Sequence, residues 1–540
     1  MRKITLLFSI IILVAWIPMF GQQKDTTEVQ QKDTLKNFMK GEIPYTAKVN
    51  KQFQFFGYFI TQSVTSNFYP QSSLFNGQLV GRLFGQNSSV TSDTLTSGYV
   101  EQRFIPFFIY QPKLFNGKAI LRASFEIDWT WGDQAYGMSG NKGAAISADQ
   151  VNIQTQNIEL ELLPFKYWTI NIGLQRLYDT PFNPYRTFFD KMLVTGYRLA
   201  YWGTDAAGVS VRYDRDYSKI KTGYYKLYEN IGQDDDDVTL TELIYRRKLS
   251  LKWNLGASLY YIRDRGKGLG GVSVFSQGLN STLVNYNGGF NFNLGTNEYK
   301  ADIEWIGAFF SRNPDFFLDR YLLTGFINYN IGTVDTKEND VWSRKANIGG
   351  MSANLRAAYR YGQTSSDYFS VDFLYSSGDG NGIENKKYSG VITGNTWGMP
   401  ASVFIGSGAY ILFPSANVVN RFTPVVSDIS NMGYGLYAGT ANFYKDIIPN
   451  KFNIKIGSAL AYSAVKPQNG GDFLGTEFNA AVKYTFGPFM NIGLHGAYMS
   501  LGDFFDSNDS GHGTDINGIY NTARPTNPWT VMLVYQWLMF

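Results

Sequence analysis

Cysteine is absent from this 540-residue chain, histidine occurs twice, and only 17 % of residues are charged. Without cysteine there is neither a disulfide nor a lipid-attachment thiol. A formal net charge of +4 is small for this length and gives no reason to expect a nucleic-acid partner. Beyond the N-terminus, no segment approaches the ~20 consecutive apolar residues of a spanning helix. Neither His495 nor His512 has a nucleophilic serine at a recognisable spacing, so no catalysis is expected.

Aromatic residues, by contrast, reach 16 %, and glycine occurs 55 times. Between Ala119 and Trp131 the chain interleaves two characters. Ala119, Leu121, Ala123, Phe125, Ile127, Trp129 and Trp131 are apolar, whereas Arg122, Ser124, Glu126, Asp128 and Thr130 are polar. Side chains alternate faces along a strand, so the segment has one greasy and one wet face. Leu249–Tyr261, Tyr299–Phe309, Met351–Tyr361, Phe369–Tyr375, Phe452–Ala464 and Leu474–Phe486 repeat the pattern. Segments of this length and alternation predict an all-β fold, an antiparallel transmembrane barrel of outer-membrane type. We expect about 18 strands, within a range of roughly 16–20. The final strand, Trp529–Phe540, has its cleaner apolar face on the odd residues.

The chain divides into three parts. Arg2 and Lys3 precede the apolar run Ile4–Pro18, which predicts a signal peptide over 1–21. Residues 22–50 are polar and without period and read as a periplasmic tail; 51–540 read as one barrel. So short a leader disfavours an energy-coupled transporter with its own plug domain. Short turns are expected at Leu163–Tyr167, Trp202–Ala206, Thr296–Glu298, Ile447–Lys451 and Gly487–Pro488. Long outer loops are expected near 132–150, 215–238, 263–285, 377–400 and 502–528. The expected surroundings are outer-membrane lipid and lipopolysaccharide; the oligomeric state is left open.

With apolar faces taken as outward, the lumen receives Arg122, Arg198, Arg212, Lys252, Lys300, Arg356, Arg360, Lys455 and Lys483. The same faces carry Glu126, Asp128, Glu159, Glu161, Asp214, Asp302, Glu304, Asp372 and Glu477. The signs balance, so selectivity must be decided at the narrowest ring and not by the total. Arg356 and Arg360 share one strand face, and Arg198 and Arg212 are expected on neighbouring strands. The segment from Gln175-Arg176 to Asp190-Lys191 mixes Arg, Asp, Tyr and Pro; it reads as an outer loop or as one that folds inward to narrow the pore. Guanidinium groups and tyrosines together would suit anionic saccharides.

Gln175-Arg176-Leu-Tyr-Asp179, Tyr197-Arg198-Leu-Ala-Tyr201, Tyr375-Ser-Ser-Gly-Asp379 and Phe413-Pro414 with Val426-Ser-Asp428-Ile-Ser-Asn431-Met-Gly433 form a set of short motifs. Together they resemble the alginate-export family of outer-membrane barrels over residues 150–435. The resemblance implies an 18-stranded channel for anionic polysaccharide, a pathway role for Arg176 and Arg198, and a structural turn at Asp379. The balanced lumen departs from that family's arginine-rich one.

One loop has a calcium-type pattern, with Asp506, Asn508, Asp509 and Asp515 alternating with small residues. Asp/Asn/Gly loops are also what barrels expose outside, and no resident cofactor is expected. Two functional expectations stand: a passive channel for small or oligomeric solutes, anionic saccharides included, or a plugged, non-conducting barrel that scaffolds a secretion or surface complex.

Overall fold

The computed structural model describes residues 52–70, 89–130, 152–176, 205–267, 294, 298–392, 408–413, 425–467, 469–506 and 525–539, less 92, 95, 230, 231, 233, 314, 315, 317, 427, 428 and 488. The predicted signal peptide and tail therefore lie outside the described residues. Eighteen strands form the wall: β1 (Phe53–Ser66), β2 (Ser97–Tyr110), β3 (Ala119–Thr130), β4 (Asn152–Leu162), β5 (Trp168–Arg176), β6 (Asp205–Arg215), β7 (Ser218–Tyr228), β8 (Val238–Lys248) and β9 (Trp253–Asp264) lead into β10 (Tyr299–Arg312), β11 (Tyr321–Glu338), β12 (Val341–Arg360), β13 (Tyr368–Ser376), β14 (Leu436–Ile448), β15 (Phe452–Tyr462), β16 (Phe473–Gly487), β17 (Met490–Leu501) and β18 (Trp529–Met539). Each strand pairs antiparallel with the next, and β1 pairs with both β2 and β18, which closes the ring. The expected barrel of about 18 strands is the one found. Closure leaves no unpaired edge in the membrane, where an unsatisfied peptide group would cost several kcal/mol.

Alternation places the side chains. On β11 the outward residues Tyr321, Ile327 and Tyr329 are exposed, while Thr324, Asn328 and Asn330 are buried inside. Tyr110, Trp168, Tyr213, Trp253 and Tyr321 form a lower aromatic girdle; Tyr329, Tyr375, Tyr437, Tyr462 and Tyr498 form an upper one. Tyr321 and Tyr329 are eight residues apart, about 27 Å along a tilted strand, which fits the ~25 Å apolar band. This outer surface is that of a protein of the Gram-negative outer membrane.

Above the band the rule reverses. On β10 the inward residues are Tyr299, Ala301, Ile303 and Trp305, all essentially inaccessible. Lys300, Asp302 and Glu304 therefore point outward, against the sequence expectation. Beyond the lipid an outer face needs polar groups, and the inner face there packs into an apolar core with Ile348, Tyr388, Val391 and Ile411. The same strand thus turns from polar-outside to apolar-outside between Glu304 and Ile306.

The connections differ from expectation at several points. The span 215–238 contains all of β7, joined to β6 through Asp216-Tyr217. Ala206 lies within β6, which pairs with β5 and β7, so Trp202–Ala206 is not a turn joining Arg212's strand to one carrying Arg198. Glu298 leads into the outer end of β10 and not through a short lower turn. Leu249–Lys252 is a turn, and Lys252 leaves the lumen wall to pair with Asp319 at 2.8 Å.

Candidate functional site

The lumen wall is built differently on its two sides. On the first, Arg122 of β3 faces Glu161 of β4, with Nη1 at 2.8 Å from Oε2 and Nη2 donating to Oε1 at 3.1 Å. Glu159 lies 4.0 Å from the same guanidinium, and Asn171 of β5 donates to both carboxylates. Two parallel N–H···O bonds are the strong form of this pair. Farther round, Lys221 of β7 meets Glu242 of β8 at 2.5 Å, and Tyr225 donates its hydroxyl to the same oxygen at 2.6 Å. Lys221 and Glu242 are both 2 % exposed, so each charge depends on the other. Gly223 lies between them because a Cβ there would come within 2.5 Å of the Tyr225 hydroxyl.

On the other side, hydrogen-bond register lines up Arg360, Tyr368, Tyr444, Lys455, Ala481 and His495 across β12–β17. Tyr368 and Tyr444 stack at 4.4 Å. Arg356 lies two inward positions up, in register with Asp372, whose carboxylate accepts from Asn354 at 2.5 Å. Among the described residues Arg356, Arg360 and Lys483 take part in no ion pair.

Residues 408–413, within the connection from β13 to β14, lie in the lumen against this side. The backbone N–H groups of Tyr410, Ile411 and Leu412 donate to the carboxylate of Glu477 on β16 at 2.7, 3.0 and 2.7 Å. Asn479 adds a fourth donor at 2.7 Å, and Glu477 is fully buried. Lys455 donates to the carbonyl of Gly408 and to Asn479, with its ammonium 4.1 Å from the Tyr410 ring centroid. The Tyr410 hydroxyl is 3.2 Å from Nδ1 of His495. Gly408 has φ +98°, and a Cβ there would come within 2.3 Å of Asn442. On the opposite flank Trp305 donates to the carbonyl of Ile392 at 2.8 Å. The described part of the loop is thus held to the wall through Glu477, with Ile411, Leu412 and Phe413 buried.

Of the positions named from sequence, Arg122, Arg212, Arg356, Arg360 and Lys455 occupy inward strand positions. Arg212 pairs with Asp214. Glu126 and Asp128 are backbone positions of β3, and Arg176 is the last residue of β5; their side chains, like all of Arg198, lie outside what is described. The segment 177–204, considered for folding inward, lies outside it too. Asp506 ends a short 3-10 turn, whereas Asn508, Asp509 and Asp515 fall outside the described residues. Asp379 forms a turn, accepting from the Asn381 and Ser389 amides at 2.8 Å each. Sequence reading missed Lys221 and Glu242, whose strands interrupt strict alternation. It also missed the loop's anchor, although Ala409-Tyr-Ile-Leu-Phe413 is an apolar run without period between Gly408 and Pro414.

No protein-family model matches the chain, and no curated protein matches it. Several solved structures share its fold distantly. Pseudomonas aeruginosa OccK11 (OpdR) superposes with a TM-score of 0.42 at 8 % identity, covering 92 % of this chain and 100 % of its own. Acinetobacter baumannii OccAB4 gives 0.42 at 10 %, covering 91 % and 99 %. Pseudomonas aeruginosa OccK2 (OpdF) in complex with glucuronate gives 0.45 at 10 %, covering 90 % and 96 %. Likeness at this level carries no functional argument, and the barrel assignment rests on the chain's own strand pairing. The alginate-export resemblance rests on the short motifs alone.

Proposed function

We propose that the chain is a passive outer-membrane channel that prefers small anionic solutes, acidic saccharides among them. One observation carries the reading: Arg356, Arg360 and Lys483 face the lumen without ion-pair partners among the described residues, beside stacked tyrosines. The carboxylates of that side are already engaged, Glu477 by four N–H donors and Asp446 by Asn453 and the Asn450 amide. An anion entering there meets positive charge that no carboxylate among the described residues holds in an ion pair. The alginate-export resemblance adds Arg176 and Arg198 to this path, with Arg122, Glu126, Asp128 and Arg212 as its mixed-charge opposite bank.

The inward loop at 408–413 supports a second reading, a closed barrel used as a scaffold. Planar-bilayer recording separates the two, since a scaffold shows no conductance steps. Under a salt gradient the channel's reversal potential should report anion preference. Arg356→Ala/Arg360→Ala should lower the anion-to-cation permeability ratio about twofold or more. An unchanged ratio would remove these arginines from the path.

A further inference from the structure

The turns at the lower rim fall into two kinds. Those between β2 and β3, β4 and β5, β6 and β7, and β8 and β9 each present large apolar side chains to solvent: Leu114 and Phe115, Phe165, Tyr217, and Leu249 and Leu251. Leu114 is 84 % exposed, Phe165 72 % and Leu251 65 %. The turn between β10 and β11 instead buries Phe316 to 6 % against Leu322 and Ala358. Among its described residues only Leu318 is an exposed large apolar side chain.

These exposed groups are held in place. Lys113–Phe115 forms a 3-10 turn closed by Asn116 at φ 51°, with the Asn116 amide donating to the Lys113 carbonyl at 2.9 Å. The Gln111 side chain donates to the Gly117 carbonyl at 3.0 Å. A turn this well tied has no need to display leucine and phenylalanine to water, where each costs roughly 25 cal/mol per Å² of apolar area.

Depth and charge identify what covers them. The turns lie two to four residues below girdle aromatics: Leu114 follows Tyr110, Phe165 precedes Trp168, and Leu251 precedes Trp253. At about 3.3 Å per residue that is roughly 7–13 Å of chain, shortened along the membrane normal by strand tilt and by the turns themselves, which brings these side chains to the edge of a headgroup layer about 5–8 Å thick. Short turns mark the periplasmic end, so the layer is the inner leaflet, which is phospholipid. Lys113, Lys118 and Lys166 are exposed among the apolar residues, against one acid, Asp216, in the same four turns. Lys252 is committed to Asp319, whereas Lys113 and Lys118 form no ion pair among the described residues.

We propose that these four turns are a lipid-binding foot: the apolar side chains enter the inner leaflet and the lysines bind anionic phospholipid headgroups. The absence of native cysteine makes the test direct. Full-length protein bearing Leu114→Cys, labelled with bimane, is placed in nanodiscs of phosphatidylcholine and phosphatidylglycerol; Asn381→Cys, at the opposite end, is the aqueous reference. The Leu114 label should be quenched at least threefold more by lipids carrying a shallow nitroxide than by aqueous iodide, with the reverse for the reference. Phe165→Cys repeats the measurement should the first variant fold poorly. In native mass spectrometry the retained lipid should be enriched in phosphatidylglycerol, and Lys113→Gln/Lys118→Gln/Lys166→Gln should cut that enrichment about threefold without moving the label. Iodide quenching equal to the reference would overturn the foot and point to a periplasmic protein partner. Retention of both lipids in their bulk ratio would overturn the headgroup assignment.

Discussion

The two sides of the lumen use the same residue types to opposite ends. Along β3–β8, cations and carboxylates are spent on one another: Arg122 with Glu161, and Lys221 with Glu242. Along β12–β17, carboxylates are spent on backbone and amide N–H groups, which leaves Arg356, Arg360 and Lys483 over. Formal charge counts therefore misjudge a pore wall; what matters is which charges already have partners. On the proposed reading, the first side is a structural wall and the second offers its charge to a solute.

The largest expected effect tests the paired side. Lys221→Ala leaves Glu242 buried and uncompensated, which should cost about 3–5 kcal/mol, read as a lowered urea midpoint for barrel unfolding. Replacing both partners, Lys221→Met/Glu242→Leu, should recover most of that loss. A double variant as unstable as the single one would show that the pair is not the unit of stability.

The outer faces of the two sides should not differ at all. Val209 on β6 and Ile327 on β11 both face lipid within the apolar band. Arginine at either should cost about 2–4 kcal/mol, by the same unfolding assay. Leu255, two residues above Trp253, lies close to the lower girdle, so Leu255→Arg should cost less. Unequal costs at 209 and 327 would mean the band is set differently on the two sides.

The fold was legible because lipid forces alternation, and Leu121–Thr130 and Phe452–Gly457 keep period two. What alternation cannot say is which face is inside. Within the band apolar means outward, and β13 and β15 follow. On β10 the same inference places Lys300, Asp302 and Glu304 in the lumen, because nothing in the sequence marks where the lipid ends and an ordinary apolar core begins. The site was legible only as a list of cations. Pairing depends on the strand next door, and the carboxylate of Glu477 is sealed by a loop 65–67 residues earlier, beyond any local pattern.

That loop yields the next prediction. Glu477→Gln keeps the shape but removes the charge from bonds that, as charge-assisted ones, contribute about 1.5–3 kcal/mol each. It should loosen 408–413 and raise single-channel conductance, while Lys221→Met/Glu242→Leu leaves conductance near its original value. Equal conductance in the two variants would make the inward loop irrelevant to the constriction.

The smallest effect concerns a clip between two lower turns. Asp319, in the turn after β10, bonds Arg312 at 3.1 Å and Lys252, from the turn after β8, at 2.8 Å. Partial burial opposes ionisation of Asp319, but the bonds from Arg312 and Lys252 outweigh it and hold the carboxyl well below the usual carboxylate range. A depressed folded value stabilises the native state above the unfolded pKa of about 3.9, and that contribution is lost as pH falls through the folded value. Unfolding midpoints should therefore decline below about pH 4, and Asp319→Asn should flatten the decline. The partly solvated setting at the rim keeps the effect modest. If Asp319→Asn declines as steeply as the native chain, the acid sensitivity lies in the buried pairs of the first side and not in the clip.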